Sequence, residues 1–217
     1  MALTFYHGHG SPYSWRVWLA LEHLQVPYEL KLLSFANKDT TKPEFVAINP
    51  RHKVPTLVDD GFVMWESIPV LEYLDEQFGV DGPARLYAGT PADRGRTRRL
   101  VAEICEYLTV EGIDIITDQY FAGGDTQPDL EKVAKGREQI AKELRYLEGE
   151  LKGPFFGGDA PSAVDIVLAP ALGYVNRIQF RKPDSRVAEV VPEAIKQWHQ
   201  RFTALPYYDK TFPPHWR

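Results

Sequence analysis

The hydrophobic period of this chain changes once, and that change limits the folds open to it. From Leu3 to Phe78, short apolar runs alternate with stretches whose apolar residues recur every third or fourth position; from Ala92 onward only the second pattern occurs. Alternation marks a half-buried strand, and a period of about 3.6 marks one face of a helix. Leu3 to Tyr6 reads as a strand entering the loop His7-Gly8-His9-Gly10. Helical spacing follows from Ser14 through Val17, Trp18, Leu21 and Leu24, and Val26-Pro27 separates it from a second strand, Tyr28 to Leu33. Residues 34–50 are polar, with a short helix predicted around Lys42-Pro43-Glu44-Phe45 and ended at Asn49-Pro50. Thr56-Leu57-Val58 and Phe62-Val63-Met64 flank Asp59-Asp60-Gly61, whose Asp-Gly step predicts a hairpin. Glu66 to Phe78 returns to helical spacing, with Gly79 as its stop. The order is β-α-β-(α)-β-β-α.

The remainder reads as helices. A Gly-, Pro- and Asp-rich linker gives way to an amphipathic stretch from Asp93 to Tyr120. A polar break at Gly123 to Asp129 and a helix from about Leu130 to Leu151 follow. Pro154 to Gly158 breaks the pattern again, and Ser162-Ala163-Val164-Asp165 is a capping box, in which each side chain satisfies an end amide of the next helix. The expected organisation is an α+β domain over 1–80, a linker over 81–92 and an all-α domain over 93–217. With 217 residues, two domains can each bury a core, and 44% hydrophobic with 25% charged residues is ordinary globular usage. A net charge of -5 supplies no basic surface to follow a nucleic-acid backbone, so no nucleic-acid partner is expected. Cys105 is the single cysteine and cannot form an internal disulfide. Met1 to Tyr6 lacks the features of a signal peptide, and no apolar run is long enough for a membrane span. Together these lead us to expect a cytoplasmic protein with no membrane association.

Three short motifs carry chemistry when read in order: Ser11-Pro12-Tyr13-Ser14 after the first strand, Lys53-Val54-Pro55-Thr56-Leu57 before the third, and Glu66-Ser67 at a helix start. With the topology above, they resemble the glutathione-binding half of a cytosolic glutathione transferase, and the resemblance extends over nearly the whole chain. It implies a thioredoxin-like N-terminal domain with a mixed four-stranded sheet, followed by an all-helical domain that contributes the electrophile site. The Ser-Pro-Tyr-Ser run looks like the tau-class pattern, and Ser14-Trp15-Arg16-Val17 is similar to the zeta-class run, although Tyr13 stands where zeta carries a Cys. A serine-type, bacterial member with tau-, zeta- and theta-like features is the implied kind.

The resemblance assigns roles residue by residue. Ser11 is the catalytic residue, donating a hydrogen bond to the sulfur of glutathione, the co-substrate. Pro55 is the cis-proline of a thioredoxin-like fold, with Val54 holding the cysteinyl part and Lys53 near the glycine carboxylate. Glu66 and Ser67 take the γ-glutamyl end, where helix amides suit the α-carboxylate and Glu66 the α-ammonium. Thr40 falls near the glycine end, with Lys38 and Lys42 close in sequence. A small apolar electrophile is expected between the domains, against Tyr13, Tyr107, Glu111 and Ile115, and the aromatic tail from Tyr207 to Trp216 either covers that cleft or packs against the end of the chain. No metal is implied. A homodimer is.

Physically, the thiolate rather than the thiol attacks an electrophile, and a thiol with a pKa of about 8.5 is mostly protonated at neutral pH. A donor at Ser11 and a helix N-terminus behind it both favour the anion. The residues leave alternatives open. Ser11 also suits a helix cap, Tyr6 is a second candidate for activating the thiol, and Tyr107, Glu111 and Ile115 also suit a packed helix face. His7 and His9 read as surface loop rather than a metal pair, Cys105 as buried packing, and Asp165 as a folding residue rather than a catalytic one. Rival functions are a glutathione-dependent isomerase, dehalogenase or peroxidase, or a non-catalytic binding module of the same fold.

Overall fold

A computed structural model of the chain describes residues 3–80, 82, 84–121 and 127–216. It divides into two compact units, Met1–Tyr87 with Leu205–Arg217, and Ala88–Ala204.

The first unit is built on β1 (Leu3–His7), α1 (Pro12–His23), β2 (Glu29–Leu32), α2 (Pro43–Val46), β3 (Thr56–Asp59), β4 (Phe62–Trp65) and α3 (Ser67–Phe78). The sheet order is β2-β1-β3-β4. β1 pairs parallel with β2, in register Thr4 to Glu29, and antiparallel with β3, Phe5 opposite Leu57. β3 and β4 form the hairpin, Thr56 opposite Trp65, closed by Asp60 and Gly61 at φ of 47° and 88°. Two successive left-handed residues are what a tight hairpin turn requires. The mixed four-stranded sheet and the element order are those expected from the sequence. Phe5, Trp15, Val17, Leu19, Leu21, Leu57, Val70, Leu71 and Leu74 are almost wholly buried where α1 and α3 pack together beside the sheet. Each such side chain contributes roughly 1.5–3 kcal/mol by leaving water.

The second unit begins at α4 (Pro91–Glu103), continues without a break through a π-helical stretch over Ile104–Asp114, and ends its first long helix in α5 (Ile115–Phe121). The sequence predicted a uniform α-helix here. Instead the buried Thr109 hydroxyl donates to the carbonyl of Ile104 five residues back at 2.8 Å, the spacing of a widened turn. α6 (Leu130–Glu150), α7 (Ala163–Arg181) and α8 (Glu193–Thr203) complete the bundle. Asp165 is fully buried. Its carboxylate accepts from Ser162 N at 2.7 Å, Ser162 Oγ at 2.9 Å, Phe156 N at 3.0 Å and Trp198 Nε1 at 2.7 Å. One side chain therefore caps α7, holds the turn before it and anchors α8. Among the described residues, no helix is long and apolar enough to cross a membrane.

Two sequence expectations need correction. The segment after Tyr87 was expected to begin its helix at about residue 93; α4 starts at Pro91, with Thr90 as its cap exchanging bonds with Asp93, because Pro fits the first turn where no amide is needed. Much of the stretch before it is anchored rather than a loose spacer: Leu86 N and Arg85 Nε both donate to the buried Asp75 carboxylate, at 2.6 and 3.2 Å. Asp81 and Pro83 of the expected linker, and residues 123–126 of the expected polar break, lie outside the described residues. The tail, expected within the helical domain, belongs to the first unit. α9 (Pro206–Thr211) packs on α1, where the Trp15 indole donates to Thr211 Oγ1 at 2.9 Å and stacks among Tyr208, Phe212 and Trp216. A fully buried indole needs both apolar cover and an acceptor for its N–H, and the tail supplies both.

Candidate functional site

Ser11 is the last extended residue before α1 (φ -85°, ψ 112°), and its Oγ accepts from Ser14 N at 3.2 Å. Its own N–H donates to Gly8 O at 3.2 Å, closing the loop. The helix cap is thus present, and it occupies only a lone pair. The hydroxyl proton is still there to donate elsewhere.

The backing of this loop differs from its sequence reading. His7 is the last residue of β1 and is 1% exposed rather than part of a surface loop. Its Nδ1 lies 2.9 Å from Ser14 Oγ, its Nε2 lies 3.3 Å from His9 Nδ1, and its ring sits edge-on to Trp18 at 4.7 Å. Burial, helped by repulsion from His9, pushes its pKa down to about 3, so His7 is neutral at ordinary pH. Tyr6, on the opposite pleat, packs against Phe45 with ring centroids 5.7 Å apart.

A cavity of about 300 Å³ lies in this unit, and Tyr13, Lys53, Val54, Pro55, Glu66 and Ser67 all line it. The Val54-Pro55 peptide bond is cis. Ser67 opens α3, whose first amides have no partner inside the helix and present a partial positive charge. Glu66, immediately before it, is held at φ 70° and ψ 117°, a conformation that costs roughly 1–3 kcal/mol in a non-glycine residue. Lys53 and the α3 N-terminus are positive and Glu66 is negative, a distribution suited to a small peptide bearing two carboxylates and an ammonium. Ser11 itself is two residues from Tyr13 and is not among the lining residues; nor is Thr40, which is buried in the turn Asp39–Thr41. Lys42 pairs with Asp39 at 2.6 Å.

The sequence reading missed two lining residues, Asn49 and Trp65. Asn49 is wholly buried and ties the approach to Pro55 together. It donates to Lys53 O and to Thr56 Oγ1, both at 2.9 Å, and accepts from Arg51 N at 2.9 Å. Its only sequence signal was the Asn49-Pro50 step, which reads as a helix end. Trp65 closes β4 just before Glu66 and carries no signal beyond its position in a strand.

In the second unit, Tyr107 and Glu111 line another cavity of about 440 Å³, with Glu103, Lys142, Glu143 and Tyr146 around them. Gln139 Nε2 donates to Glu111 Oε2 at 3.2 Å and to Glu143 Oε1 at 3.4 Å. Ile115, the first residue of α5, lines neither cavity.

Comparison with known proteins agrees with this architecture. The family profile described as "Glutathione S-transferase, N-terminal domain" matches residues 10–77, and that described as "Glutathione S-transferase, C-terminal domain" matches residues 113–206. Glutathione S-transferase D7 of Drosophila melanogaster is 30% identical over 210 residues, covering 94% of this chain and 90% of the relative. Glutathione S-transferase 1 of Schizosaccharomyces pombe is 26% identical over 220 residues, covering 95% and 93%. Among solved structures, a glutathione S-transferase from the Antarctic clam Laternula elliptica superposes with a TM-score of 0.80 at 24% identity, over 100% of this chain and 94% of that one.

Proposed function

The chain belongs to the glutathione S-transferase family, and from that premise we propose how this enzyme of glutathione transfer handles its two substrates. Glutathione lies in the cavity of the first unit. Its γ-glutamyl carboxylate meets Ser67 and the α3 amides, its ammonium meets Glu66, its cysteinyl backbone runs along Val54 beside Pro55, and its glycine carboxylate turns toward Lys53, with Thr40 near that end. The observation that supports this most is the gathering of Tyr13, Lys53, Val54, Pro55, Glu66 and Ser67 around one cavity.

In this reading Ser11 is the catalytic residue. A hydrogen bond from a hydroxyl to an anionic sulfur contributes about 1.5–3 kcal/mol, and one pKa unit corresponds to about 1.4 kcal/mol, so Ser11 lowers the thiol pKa by about one to two units. The helix α1 behind it acts in the same direction. The thiolate then attacks a small apolar electrophile held against Tyr13, with Tyr107, Glu111 and Ile115 as the further candidate contacts. Positioning and stabilisation of the anion carry the rate. Cytoplasmic detoxification as a homodimer, with glutathione as co-substrate and no metal, is the setting that goes with this reading.

The test is an ultraviolet difference titration of the protein with glutathione across pH. A thiolate band rising well below the free-thiol pKa is the expected result; saturable binding with no band removes Ser11 from the mechanism. Product analysis with model electrophiles then separates conjugation, which consumes glutathione, from isomerisation, which regenerates it, and peroxidation, which oxidises it.

A further inference from the structure

Ionising a thiol leaves a proton to be placed, and Ser11 does not take it, because a hydroxyl donates a hydrogen bond while keeping its proton. Around the loop that carries Ser11 stand three imidazoles. His7 is buried at the end of β1, and His9 is half-buried in the loop. His215, on the C-terminal turn Pro214–Trp216, is exposed, and its Nε2 comes within 2.9 Å of the point a Cβ on Gly10 would occupy. Gly10 has φ +92°. A side chain there would be strained and would also displace His215, so the residue before Ser11 is open to the imidazole for two independent reasons.

These contacts allow two tautomer sets, and one of them leaves a proton acceptor on His9. In one consistent tautomer set, His9 Nδ1–H donates to His7 Nε2 across 3.3 Å, and His7 Nδ1–H donates to Ser14 Oγ across 2.9 Å. His9 Nε2 is then left with a lone pair. The ionisable groups acting on His9 are His7 from β1 and His215 from the C-terminal turn, and the Trp18 ring of α1 packs 5.9 Å away. Burial and His215 lower the pKa of His9, so it is unprotonated at neutral pH and open to a proton.

We propose that His9 and His215 together accept the proton of the glutathione thiol and remain beside the thiolate as its counterion. This rests on the reading of Ser11 as the hydrogen-bond donor to the glutathione sulfur. The step is balanced: the S–H bond breaks, its electron pair stays on sulfur, and the proton forms an N–H bond on the imidazole pair, directly or through one water. Nothing is oxidised. The C-terminal turn is then part of the reaction site rather than packing alone.

The full-length protein is titrated with glutathione at about pH 7.5, where an ordinary imidazole is neutral. Thiolate is counted by ultraviolet absorbance and released protons by calorimetry in buffers of different ionisation enthalpy. The wild type is expected to release less than about half a proton per thiolate formed, and the His9→Gln/His215→Gln double variant about one. Equal release per thiolate in the two proteins overturns the proposal. His215→Gln alone, at an exposed tail residue, tests it without disturbing the half-buried loop; its release should exceed that of the wild type, and an unchanged value excludes His215. A wild type that binds glutathione with no thiolate band overturns the Ser11 reading itself, and this inference with it, so the two failures are distinct.

Discussion

At the scale of single residues, Ser11 puts one oxygen to two uses. Its lone pair caps α1 at Ser14 N, and its proton faces the substrate in our reading. Ser11→Ala removes both. The cap loss lowers stability by about 1 kcal/mol, while the thiol pKa in the glutathione complex rises by about one to two units with little change in glutathione affinity. Thermal melts and the ultraviolet titration read the two effects separately. Ser67 makes the opposite split. As a binding group for a carboxylate its loss acts on affinity, so Ser67→Ala should weaken glutathione binding by about 10-fold or more while leaving the thiol pKa unchanged, as measured by isothermal titration. A shifted thiol pKa in that variant would mean that Ser67 reaches the sulfur. Ser11 and the Glu66-Ser67 step were legible in the sequence because their neighbours alone define a strand end and a helix start. Asn49 was not, because its three partners surround a loop whose path no local pattern predicts.

At the scale of elements, the helical unit depends on a few junctions. Asp165 accepts four hydrogen bonds from groups on three segments. Burial pushes its pKa up, and these same bonds oppose the shift. Asp165→Asn places an NH₂ group against donors, and leaving one buried group unsatisfied costs about 1–3 kcal/mol, so the variant should unfold at distinctly lower denaturant concentration. An unchanged midpoint would show that the junction is held elsewhere. The π-helical stretch and α6 meet through glycines. A Cβ on Gly136 would stand 2.8 Å from Ile116 and 3.0 Å from the Gly112 carbonyl, and one on Gly112 would stand 2.8 Å from Ile140. Gly136→Val should therefore cost about 1–3 kcal/mol by overpacking, read by the same denaturant curves. The capping box at Ser162 was visible in sequence; the widening over Ile104–Asp114 was not, because it involves the hydrogen-bonding choice of a buried Thr109.

At the scale of the whole molecule, buried imidazoles set the response to acid. His7 has its pKa pushed down to about 3 and His199 to about 4, both chiefly by burial. Unfolding returns each to about 6.5, so below that pH the unfolded chain binds more protons than the folded one. Stability is then fully present above about pH 6.5 and falls as pH drops toward the folded values, by about 2 kcal/mol for each histidine between pH 6.5 and 4.5. Melting temperatures across this range should decline, and less steeply in His199→Phe; a slope unchanged by that substitution would remove His199 from the response. Family membership leads to a further expectation, a homodimer, for which light scattering should give a mass of about twice the 24.7 kDa of the chain.

By itself the amino-acid sequence determined the element order, the strand hairpin, the division into a mixed and a helical part, and the three motifs around the candidate glutathione site. All of these are written in periodicity, turn residues and caps, which act within a few positions along the chain. Only the tertiary structure decided that His7 is buried, that Asn49 holds the loop before Pro55, and that the tail joins the first unit. The last is the clearest case, since the Trp15–Thr211 hydrogen bond joins residues 196 positions apart. Such contacts depend on which buried group lacks a partner after the local elements have formed, and no local pattern records that.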